Sequence, residues 1–463
     1  MGLRRQGHDV ADYDLVVIGG GTAGLAAARA AIRRKARVAM VQDGPVGGDC
    51  TFVGCVPSKT LIEAAAQGDD FPTAQGRVTQ AIAEIAATET AAVLRTEGIE
   101  VIEGRARLLS AQLVSVGHLQ LRAPKLVIAT GTAPVIPSIP GLANLDVLTN
   151  ETVFDLVERP ESLIVIGGGS IGAELAQAFA RLGVTVTIVE AAARLLTREE
   201  PEASRIVAAA LAAGGVRVIT GKSVTGAAAD PAGVRIGLDD GTDVSGSRIL
   251  VAVGRQPVVS DLNLAAAGVD LDRRGFIRTD DHLRTSARSI WAAGDIAGRM
   301  QLTHAADEMG RMAAANALSR VAYRRYREEW IPVVTYTDPE VAHIGATEAE
   351  AATVRGARVA FLPMSSVDRA IAAGRTEGFV KLVVGPRRLT RNLAGGRLLG
   401  ASVVAPRAGE MIHEPALVMR SGMFAGRLAL TTHAYPTWSL AIRQAATQLF
   451  FEIGGRQARP PRP

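Results

Sequence analysis

The sequence predicts an α/β protein made of two doubly wound, parallel-sheet units followed by a third, α+β domain at the C-terminal end. Three observations carry that prediction. The segments "YDLVVIGGGTAGLAAARAAIRRKARVAMVQDG" and "ESLIVIGGGSIGAELAQAFARLGVTVTIVEAA" share one pattern, a buried strand, a Gly-rich turn, an Ala-rich helix and a second buried strand, with Gly19 and Gly167 in register 148 residues apart. From about Trp330 strands and helices alternate without such turns. A chain of 463 residues also exceeds a single core, at roughly 150 residues per domain. Hydrophobic residues at 48% and charged residues at 21% suit globular domains with large buried cores, not a disordered or fibrous chain.

In each repeat G-x-G-x-x-G follows the strand directly and opens the helix: Gly19, Gly21 and Gly24, then Gly167, Gly169 and Gly172. The first Gly permits the tight turn, the second lets the backbone approach a pyrophosphate, and the third lets the helix pack on the strand, with phosphate held at the helix N-terminus. Two such turns in full strand-turn-helix-strand context predict two Rossmann-like dinucleotide-binding domains. The second repeat has Glu190 at the end of its second strand, 18 residues after Gly172. A carboxylate there accepts hydrogen bonds from ribose hydroxyls and repels a 2′-phosphate, so this unit is expected to take NADH in preference to NADPH. Arg194, four residues on, softens that preference. The first repeat has Gln42 and then Asp43, and is expected to hold a different dinucleotide.

The formal charge is +5, and part of the excess comes from Arg4, Arg5 and the tail "GGRQARPPRP". With aromatics at 4% and no basic run interleaved with stacking residues, these read as solvated termini, not a nucleic-acid surface. No uncharged apolar run of about 18 residues exists, and "MGLRRQGHDVADYD" has no signal-peptide centre, so the expectation is a cytoplasmic protein with no membrane partner.

The only two cysteines, Cys50 and Cys55, lie in "GGDCTFVGCVPSK". In a reducing cytosol a close pair is redox-active or metal-binding more often than structural. With seven histidines in the chain and none beside the pair, the zinc reading is poor and no metal is expected. Residues five apart in a regular helix have Cα atoms about 8.7 Å apart, beyond the roughly 7 Å a disulfide allows. Cys50 is therefore expected in a curled approach to the helix, permitted by Gly47 and Gly48, and Cys55 in its first turns, where thiol pKa falls. Lys59, one turn on, adds positive charge to that face.

Along almost its whole length the chain resembles the FAD-dependent pyridine nucleotide-disulfide oxidoreductases, the group of dihydrolipoyl dehydrogenase, glutathione reductase and mercuric reductase. "GGDCTFVGCVPSK" is similar to their G-G-T-C-x-N-x-G-C-x-P-S-K, with Asp49 for Thr and Phe52 for Asn, and "IATG", "VGRQP", "AAGD" and "YTDPEVAHIG" follow in the family's order. The resemblance implies FAD on the first Gly-rich turn, with Gln42, Asp43 and Gly48 nearby. It puts Gly294 and Asp295 on the ribityl or phosphate region, and Thr130, Gly131 and His304 close to the cofactor. Lys59 is implied at the flavin edge, paired with Glu174, and Gly254 of "VGRQP" is a further cofactor contact. Cys50 and Cys55 would form a redox-active disulfide, Cys55 on the flavin side and Cys50 exchanging with substrate. The implied domains are an FAD-binding part at 1–148, an NAD(P)-binding domain at 149–278, a second FAD-binding part at 279–329, a dimerisation domain at 330–453 and a flexible tail at 454–463.

One family landmark is altered. The partner subunit normally donates a base from His-x-His-Pro-Thr-x-x-Glu, and this chain reads "HAYPTWSL", with Tyr435 at the catalytic His position and Leu440 at the Glu position. A Tyr with ordinary pKa near 10 is a poor base at neutral pH, and His433 would need a different backbone path to replace it. Efficient turnover of lipoamide or glutathione is thus disfavoured. Tyr at that position resembles mercuric reductase, whose soft metal substrate needs thiolate ligands more than a base. The C-terminal cysteine pair and N-terminal metal-binding domain of that enzyme have no counterpart here, which weighs against a dedicated mercury role. The resulting expectation is a homodimeric flavoenzyme that passes electrons from NADH through FAD to Cys50–Cys55, and on to a disulfide, a thiophilic metal or another small acceptor. One alternative is a diaphorase or quinone reductase acting from the flavin. The other is a non-catalytic NADH or redox sensor, against which the cysteines, Lys59 and Glu174 argue.

Overall fold

The computed structural model describes residues 10–231, 233–319 and 324–462; Arg4 and Arg5 lie outside them. The first unit is a five-stranded parallel sheet in the order Ile290–Ala292, Leu126–Ile128, Leu15–Ile18, Val38–Gln42, Ile99–Glu103. Its central strand, LVVI, is buried at every position, as a sheet covered on both faces requires. Helix α1 (Thr22–Ile32) follows the first Gly-rich turn. Two further helices, α2 (Gly48–Phe52) and α3 (Cys55–Gln67), follow the strand Val38–Gln42.

The second unit repeats the plan, with parallel strands in the order Val147–Leu148, Arg248–Val251, Ser162–Ile166, Thr185–Glu190, Arg217–Thr220. Its turn leads into α4 (Ser170–Arg181), and α5 (Pro201–Ala213) comes later. After the second unit the chain adds α6 (Thr303–Ala317) to the first. That helix packs on α1 through small residues; a Cβ on Gly310 would run into the Ala23 carbonyl.

Two expected boundaries need correction. The strand Val147–Leu148 already belongs to the second sheet. The return to the first unit begins well before 279: Arg255–Pro257 pairs with Thr132–Pro134 in a two-stranded ribbon, and Leu262, Leu264, Val269 and Ile277 are buried in the first unit's core with Leu126, Ile128 and Ile290. These apolar side chains share one core with Leu108, Val114, Val116 and Leu121 against a face of the first sheet.

The third domain is an antiparallel sheet in the order Val333–Thr335, Glu340–Gly345, Arg397–Ala405, Phe379–Gly385, Arg358–Pro363. The tail expected to be flexible is docked on it. Arg459 exchanges both backbone hydrogen bonds with Val359, at 2.6 and 3.0 Å, and its guanidinium pairs with Glu348. The tail's composition reads as disorder because it holds almost nothing apolar, yet its arginine finds a buried carboxylate and its backbone covers a sheet edge. No helix among the described residues is long and apolar enough to cross a membrane.

Candidate active site

One cavity of about 1280 Å³ runs between the two Gly-rich turns and past both cysteines. That exceeds the roughly 300–1,000 Å³ of an ordinary small-molecule site and suits an extended ligand or two ligands end to end. Gly19, Gly21, Gln42, Asp43 and Gly48 line one arm, with Thr130, Gly131, Gly294, Asp295 and His304 beside them. Gly169, Gly254 and Glu174 line the other, and Cys50, Cys55 and Lys59 lie between. Gly24, Gly167, Gly172, Glu190 and Tyr435 do not line it.

The turns are built for close backbone approach. Gly19 and Gly167 have φ of +106° and +109°, the left-handed region that side chains avoid. A Cβ on Gly48 would stand 2.8 Å from the Gly21 Cα, so only glycines let these two segments meet. Gly131, Gly169 and Gly254 have nothing within 4 Å of a Cβ and present bare backbone to the cavity. This cradle, with Asp295 at its floor, fits a dinucleotide such as FAD on the first turn.

The strand-end side chains fold back on the turns. Gln42 Oε1 accepts from the Gly20 N–H at 2.5 Å, and Glu190 accepts from the Gly168 N–H at 2.6 Å and the Ala192 N–H at 2.7 Å. Arg194 does not face outward; it donates to the carbonyls of Leu196 and Thr197 at 3.0 and 2.7 Å.

The cysteines are in the dithiol form. The chain breaks between them: Cys50 sits in α2, Val53 and Gly54 leave helical geometry, and Cys55 is the first residue of α3. The curl expected before one helix is thus a pair of helices with a two-residue break. Gly54 is required there, because a Cβ would meet the Asp49 carbonyl at 2.7 Å. Thr303, at the start of α6, places Oγ1 3.0 Å from the Cys55 sulfur and 3.3 Å from that of Cys50.

The two thiols have opposite electrostatics. The hydrogen bond from Cys50 lowers Cys55 most; burial opposes it, while Thr303 and the Lys59 charge help, and the result is a thiol at about 6 against an ordinary 9.0. Cys50, which gives that hydrogen bond and is buried beside the resulting negative charge, is pushed well up. Cys55 is therefore the thiolate and Cys50 the protonated partner. Lys59 donates to Glu174 at 2.7 Å and lies 4.7 Å from the centre of the Tyr336 ring. Burial pulls its ammonium down, but Glu174 outweighs that and holds it charged. The other Glu174 oxygen accepts from the Tyr336 N–H at 2.8 Å, which fixes the carboxylate.

Asp49, the family's Thr position, pairs with Arg255. Arg255 also donates to Thr132 Oγ1 at 2.7 Å and Asn150 Oδ1 at 3.2 Å, and Thr132 donates to Asp295 at 3.0 Å. Burial raises Asp295 despite that bond. His304 lines the cavity with its Nε2 bonded to the Pro332 carbonyl at 2.6 Å, so it is neither a core residue nor free at that nitrogen. Thr130 donates to the Val258 carbonyl at 2.9 Å.

Tyr435 is 70% exposed and donates to Asp368 at 3.0 Å; that bond raises its pKa further. Both ring nitrogens of His433 are engaged, Nδ1 with the Thr431 carbonyl at 2.9 Å and Nε2 with Glu414 at 2.8 Å. Within the chain neither residue reaches the sulfurs. Sequence reasoning missed Thr303 and the partners of Arg255. Thr303 stands one residue before His304 in "QLTHAADE", and that local context carries no signal of its contact with the sulfurs.

Residues 13–310 match the family described as pyridine nucleotide-disulphide oxidoreductase, and residues 331–446 match its dimerisation domain. The chain is 33% identical over 456 residues to a mercuric reductase of Bacillus cereus, covering 94% of this chain and 71% of that one. It is 34% identical over 460 residues to a dihydrolipoyl dehydrogenase of Thermus scotoductus, covering 94% and 97%. Among solved structures, the HOCl-induced flavoprotein disulfide reductase RclA from Escherichia coli superposes with a TM-score of 0.86 at 29% identity, over 94% of this chain and 99% of that one. LpdA from Mycobacterium tuberculosis gives 0.84 at 30%, over 94% and 100%.

Proposed function

The chain belongs to the pyridine nucleotide-disulphide oxidoreductases, and from that premise we propose that it is an NADH-dependent flavoenzyme, homodimeric through its C-terminal domain, that reduces a small thiophilic acceptor at Cys50–Cys55. FAD would be held by the first turn, with Gln42, Gly48, Gly294 and Asp295 around it, and would supply two-electron chemistry between a pyridine nucleotide and a disulfide. One observation carries the reading: the thiol pair lies in the same cavity as both Gly-rich turns, and its two members are polarised in opposite senses.

The residues of this chain divide the work. Lys59, kept charged by Glu174, favours the thiolate at Cys55. Thr303 hydrogen-bonds both sulfurs and holds them in register. Cys50 is the sulfur that exchanges: it rests protonated, and as it attacks or ligates it passes its proton along the hydrogen bond to the Cys55 thiolate. Glu190 at the second strand end, with Arg194 turned onto its own loop, favours NADH over NADPH.

The acceptor class follows from the missing base. Tyr435 donates to Asp368, and both nitrogens of His433 are occupied. A soft metal ion or a strained small disulfide, which needs thiolates more than proton transfer, suits this site better than lipoamide or glutathione. The same observation favours a second reading, in which quinones take electrons without the cysteines.

Anaerobic titration of the flavin-loaded protein with NADH and with NADPH tests both. The thiol relay predicts uptake of a second electron pair per subunit beyond the flavin's own, lost in Cys50→Ser and Cys55→Ser, with NADH acting at lower concentration. Uptake of one pair only, with acceptor turnover unchanged in Cys50→Ser, would replace the relay with direct reduction from the flavin.

A further inference from the structure

Lys381 sits in the middle of the buried strand Phe379–Gly385 with its side chain 1% exposed. Its ammonium donates to Glu200 at 2.9 Å and Glu202 at 3.1 Å, and lies 3.0 Å from Glu348. All three of its protons are thus directed at carboxylates. Glu200 returns the connection by accepting from the Glu348 N–H at 2.7 Å. Three carboxylates surround one lysine, and the second positive charge comes from the tail: Arg459 pairs with Glu348, which also accepts from the Arg462 N–H at 2.9 Å. Without Arg459 the cluster carries one more unit of uncompensated negative charge away from water, a costly arrangement.

The cluster's other end is the wall of the active-site cavity. Glu200 caps α5, and the residue before it, Glu199, lines the cavity and holds His343 Nδ1 at 2.8 Å. Residues 191–200 contain no helix or strand, so side-chain and loop contacts alone set their path. Leu196 in this segment has φ +47°, strained for a branched residue, and its N–H reaches back to the Gly168 carbonyl at 2.9 Å. The segment is therefore anchored at one end to the second Gly-rich turn and at the other to Lys381.

We propose that Arg459 is a positioning residue for nucleotide binding: through Glu348, Lys381 and Glu200 the C-terminal tail holds the Leu196–Glu199 wall in the shape that accepts the reduced nucleotide. This rests on the reading above that the second turn takes NADH. Lys381 and the Glu348 N–H join the C-terminal domain to the nucleotide unit, and the tail acts on that junction through Glu348, although no residue of the tail lines the cavity.

The test is the NADH concentration for half-maximal flavin reduction in flavin-loaded wild type, Arg459→Ala and Arg459→Lys. Arg459→Ala should raise it roughly tenfold, within the range that remote misplacement produces. Turnover at saturating NADH with ferricyanide as acceptor should be unchanged, and Arg459→Lys should restore most of the affinity. A half-saturating concentration within about twofold of wild type in a flavin-loaded, folded Arg459→Ala overturns the proposal, because a purely structural anchor would lower melting temperature alone. Failure of Arg459→Lys to rescue also overturns it, since the argument is one of charge. If Arg459→Ala does not fold, Arg459→Gln, which keeps most of the side chain's packing, is read in the same way. Wild-type protein that neither NADH nor NADPH reduces would instead sink the nucleotide reading, which separates the two failures.

Discussion

The two Gly-rich turns are the same device put to different ends. Their first glycines share φ within a few degrees, and each strand end sends a side-chain oxygen to the N–H of the next residue, Gly20 or Gly168. In both, the third glycine packs against the first one's carbonyl with no room for a Cβ. What separates them is one side chain and its neighbours. Gln42 is neutral and spends its amide protons on the carbonyls of Asp43 and Pro45, whereas Glu190 brings a charge. The helix after the second turn also carries Glu174 across to Lys59. Backbone geometry sets the class of ligand, then, and single side chains set which ligand and what happens beside it.

The comparison breaks most sharply at the third glycine. Gly24→Ala and Gly172→Ala each drive a Cβ into a carbonyl that cannot move without dismantling the turn, at about 3 kcal/mol from overpacking. The two should nonetheless differ in what is lost. Gly24→Ala is expected to purify without flavin absorbance. Gly172→Ala should keep its flavin and lose reduction by NADH, read in the same anaerobic titration. Loss of flavin from both would show that the turns are not separate sites.

Next in size is a pH effect confined to the dithiol form. Cys55 has its folded pKa lowered from 9.0 to about 6. Between those values the folded state binds fewer protons than the unfolded, so stability rises with pH and is lost as pH falls through about 6. Denaturation of reduced protein at pH 6 and pH 8 should differ from that of oxidised protein by on the order of 2 kcal/mol. Cys50, pushed up, opposes this only as pH approaches its ordinary 9.0. An identical pH dependence in both redox forms would remove the polarised pair.

A smaller effect tests the side-chain difference directly. Glu190→Gln makes the second strand end resemble the first, and should reduce the preference for NADH over NADPH by about tenfold, roughly 1.4 kcal/mol. A Gln oxygen still accepts from the Gly168 N–H as Gln42 does from Gly20 in the first unit, while the bond from the Ala192 N–H is lost because an amide nitrogen cannot accept it. An unchanged ratio of half-saturating concentrations would put selectivity elsewhere in the loop.

Much of this was legible in sequence because it rests on local rules: a turn that only glycine satisfies, a buried strand that must be apolar, two thiols with no others in the chain. What was not legible depends on segments meeting from far apart. Thr303 lies about 250 positions from both cysteines, and nothing in "QLTHAADE" says its hydroxyl lands on them. Asp49 was visible as a departure from the family motif, but its partner Arg255 was not. The tail was misread because composition measures the apolar area a segment can bury, and this one is fixed by charge and by a sheet edge. The early return of the chain at Leu262 was missed for a related reason: its apolar residues carry no label for which of two similar sheets they cover.

The finest comparison lies within the thiol pair, where groups from separate stretches of chain act on one sulfur. Cys50 and Lys59 come from the first unit, Thr303 from the returning helix, and Glu174 from the second unit, where it acts in the opposite direction to the other three. Their influence on Cys55 falls in the order Cys50, Thr303, Lys59. Ultraviolet thiolate absorbance of the reduced protein should therefore titrate near pH 6 in wild type and move upward in each variant, most in Cys50→Ala, less in Thr303→Val and least in Lys59→Met. The last shift should be under about one unit, or 1.4 kcal/mol, because Lys59 acts only through its charge whereas the other two hydrogen-bond the sulfur. If Lys59→Met instead gave the largest shift, the thiolate would depend on charge more than on hydrogen bonding, and the bridge from the second unit would govern Cys55.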